Sequence, residues 1–79
     1  MRVLGVDPGL TRCGVGVVEG EPGRPPKLVA VGVVTTASTM DHPQRLLRIE
    51  TGLSEWVAEY APDVVAVERV FADQNVLSV

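Results

Sequence analysis

Val3-Leu4-Gly5-Val6-Asp7-Pro8-Gly9-Leu10-Thr11-Arg12 carries a short apolar run straight into one carboxylate and then a turn. The run reads as a strand that is hydrophobic on both faces and therefore central. Pro8 cannot donate to a sheet ladder and Gly9 can take positive φ, so the chain must turn after Asp7. Asp7 is thus held at a strand end, where ligands of α/β sheets usually sit. A second apolar run, Val64-Val65-Ala66-Val67-Glu68, ends the same way on a second carboxylate. If the two strands are neighbours, the two acids stand side by side.

Outward from that first strand, Gly14 to Glu19 reads as a second strand, close enough to pair with it as a hairpin. Gly14 and Gly16 are unusual within a strand and mark close approach by backbone or ligand. Gly20 to Pro26 is a loop by composition, and Lys27 to Thr35, rich in valine, is a third strand antiparallel to the second. Thr35 to Thr39, a cluster of Thr and Ser, ends it. A helix follows from about Asp41 to Ala61, with Asp41 or His42 as N-cap and Pro43 in the first turn. Leu46, Ile49, Leu53, Trp56 and Tyr60 form its apolar stripe, and Arg48, Gly52, Glu55 and Glu59 the opposite, wet one. Pro62 stops the helix. Ala72-Asp73-Gln74-Asn75 resembles a turn opening another.

The order is β-β-β-α-β with the start of a second helix, an α/β fold with a mixed sheet. A crossover helix places the fourth strand parallel to an earlier one, with the first strand as the expected neighbour. In that pairing Val3, Gly5 and Asp7 share a face, as do Val64, Ala66 and Glu68. Small Gly5 and Ala66 then leave room one pleat below the acids. Strands lie ~4.8 Å apart, close enough for both carboxylates to bracket one cation.

Composition narrows the class. Hydrophobic residues make up 46% of the 79-residue chain and charged residues 22%, a globular balance that argues against disorder. The single cysteine rules out an internal disulfide and points to a reducing compartment. No apolar run approaches the ~18 residues that span a bilayer, and no leader pattern opens the chain, so a cytoplasmic protein is expected. The net charge of −3 is not that of a generic nucleic-acid binder. A carboxylate site, however, brings its own neutralising cations.

Hard divalent cations take oxygen ligands, and a pair of them activates water and stabilises the leaving oxygen in phosphodiester hydrolysis. Asp7 and Glu68 are the groups that chemistry needs. Without metal, two carboxylates so close repel and push one pKa up. The plain alternative makes Asp7 a turn residue and Glu68 a solvated strand end. Cys13 has no histidine near it in sequence and reads as a packed residue at a strand start. His42 reads as a helix-start residue. Arg12 and Arg69 each flank an acid and are either phosphate contacts or solvated charges. Phe71, just beyond Glu68, is either a packed anchor or a platform for an unpaired base.

Val6-Asp7-Pro8-Gly9-Leu10-Thr11-Arg12-Cys13-Gly14, with Val67-Glu68-Arg69-Val70-Phe71 and Asn75 after it, resembles the bacterial crossover junction endodeoxyribonucleases of the RuvC family. The resemblance covers essentially the whole chain but only about the N-terminal half of the family's domain. It implies the N-terminal half of an RNase H-like fold, with residues 1–79 a truncated portion of one nuclease domain. It also implies a homodimer that cuts Holliday junctions with Mg²⁺, two ions per site, Mn²⁺ being an alternative. Asp7 and Glu68 match the first two catalytic acids, and Phe71 matches the aromatic used at the junction point. Arg12 and Arg69 are expected on the DNA, and the RuvA–RuvB branch-migration complex is an expected partner. The remaining acids and the main basic surface fall beyond this chain, so the chain alone is expected to be inactive. The runner-up is the phosphate-binding β-turn-β of actin-like ATPases and sugar kinases, which lack an acid-Arg-Val-Phe segment at this distance. A non-enzymatic structural fragment is the third reading.

Overall fold

The computed structural model describes residues 1–68. Four strands, β1 (Arg2–Asp7), β2 (Arg12–Glu19), β3 (Lys27–Thr35) and β4 (Val64–Val67), form one sheet in the order β3-β2-β1-β4. β1 and β2 are antiparallel, pairing Asp7 with Gly14 and Gly5 with Gly16. β2 and β3 are antiparallel with an irregularity between Val17 and Val18. The helix α1 (His42–Tyr60) crosses over, and β4 runs parallel to β1, with Gly5 opposite Ala66 and Val6 opposite Val67. The mixed sheet and the β1–β4 pairing are therefore as the sequence implies. β2 starts at Arg12, earlier than the expected Gly14, because the turn closes tightly enough for Arg12 and Cys13 to pair with Thr35 and Val34.

Alternation along the strands sorts the core. Leu4 and Val6 of β1, Cys13, Val15 and Val17 of β2 and Val34 of β3 are buried on one face. Ile49, Leu53, Trp56 and Tyr60 of α1 pack against them, and the Trp56 and Tyr60 rings stack with centroids 5.2 Å apart. Two expectations for the helix need correction. Gly52, placed on the wet stripe by its lack of a side chain, is the buried residue of α1 and sits against the Val34 methyls. Leu46, placed in the apolar stripe, is 54% exposed beside an apolar hollow of about 540 Å³ between α1, β1 and β4. Ile49, Gly52 and Trp56 form the seam, and Leu46 lies off it toward β4.

Both ends of α1 are held. Asp41 caps it, its carboxylate accepting from the Gln44 N–H at 3.0 Å, so Asp41 rather than His42 is the N-cap. Ala61 closes it in the left-handed region (φ 43°), its N–H donating to the Val57 carbonyl. The helix thus ends at Tyr60, with its cap directly before Pro62. At this end Arg2 ties three elements together. Its guanidinium donates to the Glu19 carboxylate at 2.7 and 3.0 Å and to the Tyr60 carbonyl, and its backbone N–H donates to Asp63. The Arg2 hydrogen bond, then its charge, holds the Glu19 carboxyl below the usual range. This clamp fixes the start of both parallel strands, so their register arrives intact at the far end, where the acids are.

Candidate metal centre

Asp7 closes β1, and Glu68 is the residue after β4. One step beyond the Val6–Val67 pair, the parallel register brings them abreast, and the Glu68 N–H extends the ladder by donating to the Val6 carbonyl at 2.8 Å. Both are exposed. The hydrogen bond between the carboxyls, then the charge of Asp7, and last a small burial effect raise the Glu68 pKa. Two carboxylates in that contact cannot both be ionised without cost, which is why the Glu68 carboxyl holds its proton more tightly than usual. The two sequence-selected acids therefore meet.

The surroundings leave them room. Gly5 and Ala66 lie one pleat back. Gly14 faces Asp7, and a Cβ there would touch the Asp7 Cβ at 3.5 Å. The sheet face opposite α1 is a shallow trough of roughly 630 Å³ that reaches both acids at its end. Oxygen-only donors at a wet strand end suit a hard divalent cation, not a soft one. Among the described residues no third His, Cys, Asp or Glu joins them.

The turn after Asp7 is tight for a reason other than the one expected. Gly9 does not use positive φ. Instead, a Cβ on it would run into the Arg12 carbonyl, so space and not dihedral freedom selects glycine. Thr36, the one buried polar residue among those described, donates its hydroxyl to the Leu10 carbonyl and its N–H to the Thr11 carbonyl. Arg45 then donates to both the Thr36 and Thr11 hydroxyls. Sequence reasoning missed Thr36 and Arg45, since a Thr-rich strand end and a helical arginine carry no signal of their own.

Arg12 lies on the face of Gly14 and Asp7 by strand alternation, exposed, with no ion pair among the described residues. Cys13 is buried and free, as its packed reading requires. His42 is the first residue of α1 and is exposed. Arg69, Phe71 and the expected second helix lie outside the described residues.

Three antiparallel strands, a crossover helix and a strand parallel to the first, with an acid at each of two neighbouring strand ends, define an RNase H-like α/β protein. Residues 3–79 match the family model for crossover junction endodeoxyribonuclease RuvC, and the chain belongs to that family. It is 58% identical over 79 residues to the RuvC of Thermobifida fusca, covering all of this chain and 43% of that protein. It is 62% identical over 74 residues to the RuvC of Cutibacterium acnes, covering 94% of this chain and 38% of that one. Among solved structures, Thermus thermophilus RuvC in complex with a Holliday junction substrate superimposes with a TM-score of 0.81 at 35% identity, covering 90% of this chain and 43% of that chain. A second T. thermophilus RuvC structure gives 0.78 at 37% identity, over 90% and 44% of the two chains. The chain thus spans about two-fifths of the length of these relatives. Among the described residues no helix is long and apolar enough to cross a membrane.

Proposed function

We propose that this chain is the N-terminal portion of a Holliday junction resolvase, an endodeoxyribonuclease that hydrolyses phosphodiester bonds at four-way DNA junctions in recombination and repair. The observation that carries the proposal is the meeting of Asp7 and Glu68 at the ends of neighbouring parallel strands. Family membership and the likeness to a RuvC bound to a Holliday junction support it. Asp7 and Glu68 are the catalytic acids and would hold Mg²⁺, two ions per site, with Mn²⁺ able to substitute. Bound there, the cations would supply an activated water and charge stabilisation for the leaving oxygen. The protein's own part is to present both carboxylates ionised, against the contact with Asp7 that favours a proton on Glu68. Arg12, on the same face, would hold a DNA phosphate, and Arg69 and Phe71 would bind DNA near the scissile bond. In this reading residues 1–79 belong to one RNase H-like domain completed by further sequence. That domain works as a cytoplasmic homodimer with the RuvA–RuvB complex as partner.

The test uses a full-length protein carrying this sequence. Asp7→Asn and Glu68→Gln each remove a ligand charge while keeping shape. Each should abolish Mg²⁺-dependent cutting of a four-way junction while leaving junction affinity within about threefold, since the ligands are few beside the phosphate contacts. Cutting at the parental rate by either variant would falsify the assignment. ATP binding without junction cleavage by the parent would favour the kinase-like reading instead.

A further inference from the structure

We infer that Arg45 is a positioning residue for Asp7, acting through the turn that leaves β1; the inference rests on Asp7 being a metal ligand. Residues Pro8 to Thr11 connect two core strands, and among the described residues no backbone hydrogen bond closes within them. Their polar ties go elsewhere. The Leu10 carbonyl accepts from the Thr36 hydroxyl at 2.5 Å, and the Thr11 carbonyl accepts from the Thr36 N–H at 3.0 Å. Arg45, in the first turns of α1, fixes both hydroxyls: its Nε donates to Thr36 Oγ1 at 2.9 Å and its Nη2 to Thr11 Oγ1 at 2.9 Å.

The chemistry of that fork is specific. A threonine hydroxyl has one hydrogen. With Arg45 donating to its oxygen, the Thr36 hydrogen is directed at the Leu10 carbonyl. The guanidinium therefore sets the polarity of the bond that pins the turn, and a second nitrogen pins Thr11 beside it. Only a planar donor with two separated N–H groups reaches both; a lysine ammonium is a single point. Arg45 has no carboxylate partner among the described residues, so its fixed geometry is not that of an ion pair. Thr36 is buried directly after β3, so the clamp joins α1 and the end of β3 to the turn that follows Asp7.

The experiment compares Arg45→Gln, Arg45→Lys and Thr11→Val in the full-length protein. Single-turnover junction cleavage, junction affinity in EDTA, and Mn²⁺ affinity by EPR without DNA are measured for each. Misplacing a reacting group by a fraction of an ångström to 1 Å costs up to roughly 100-fold in rate. Both Arg45 variants should therefore cut about 10- to 100-fold more slowly and bind Mn²⁺ about threefold or more weakly. Junction affinity should stay within about twofold, as no phosphate contact is removed. Thr11→Val, at an exposed position that tolerates the change, should fall in the same direction by less. Arg45→Lys restoring parental rate and Mn²⁺ affinity overturns the inference in favour of a charge effect. Junction affinity falling in step with rate overturns it in favour of a DNA contact. A parent that does not cut at all defeats the functional reading instead, and the DNA-free Mn²⁺ comparison still decides Arg45.

Discussion

At the scale of single residues, the site comes down to the contact between two carboxyls, Asp7 and Glu68. Glu68 holds its proton to higher pH than an isolated glutamate, chiefly through its hydrogen bond to Asp7 and then through that residue's charge. A carboxyl whose pKa is raised on folding stabilises the folded form where it is protonated. That contribution is whole below the ordinary glutamate value near ~4.3 and is lost as pH rises through the raised value. Glu19 works in the opposite sense, because Arg2 lowers its pKa and its contribution is lost as pH falls. The two can be separated by difference. Without divalent cations, thermal melts between about pH 4 and 7 should show the parent losing stability with rising pH relative to Asp7→Asn, in which the repulsion is gone. The Glu19 effect cancels in that comparison. Added Mg²⁺ should reverse the parent's trend, since a bound cation takes the place of the proton. Parallel pH profiles for parent and variant would show that the acids do not interact.

At the scale of elements, Gly52 shows how a helix and a sheet are brought to one spacing. An alanine in a helix interior usually gains about 1 kcal/mol over glycine. Here the added Cβ would stand 2.7 and 2.9 Å from the two Val34 methyls. Overpacking of that kind costs about 1–3 kcal/mol, so the loss prevails. Gly52→Ala should lower the denaturation midpoint, and Val34→Ala placed beside it should recover part of the loss by making room. A stabilised Gly52→Ala single variant would mean that α1 does not press on β3 there. The same residue marks where sequence reading stops. The strands and their pairing were legible because short continuous apolar runs ending in Asp7 and Glu68, joined through a crossover helix, have few other arrangements. The acids were legible for the same reason. Gly52 was not, because a residue without a side chain has no place in a hydropathy stripe until its neighbour across the interface is known. Nor was the Arg45 clamp, whose bonds join residues 9 and 34 positions apart. Such bonds depend on tertiary geometry and leave no periodic trace. The glycine of the turn was legible as glycine but for the wrong cause, steric room having replaced positive φ.

At the scale of the whole molecule, the described residues form a slab 44 × 31 × 15 Å with a helix on one face of the sheet. A sheet with a parallel crossover is ordinarily covered on both faces. On the open face Val31 is 72% exposed, and at the β4 edge Val67 is 64% exposed, with Val64 and Val65 also uncovered. Leu46 and Leu47 add to this surface on the helix side. Soluble monomers rarely leave contiguous apolar area beyond a few hundred Å², and an uncapped apolar edge strand templates association. Two carboxylates are also a thin ligand set for a divalent cation. Residues 1–79 purified alone should therefore bind a hydrophobic dye, self-associate at micromolar concentration and leave four-way junctions uncut in Mg²⁺. Joining them to the remaining three-fifths of a relative such as the T. fusca protein should abolish dye binding and give one cooperative transition. The measurements are dye fluorescence, sedimentation velocity, a thermal melt and junction nicking on both proteins. A cooperative melt of the isolated 79 residues together with junction cleavage would show that the exposed apolar surface and the two acids suffice by themselves, and the expectation would then be wrong.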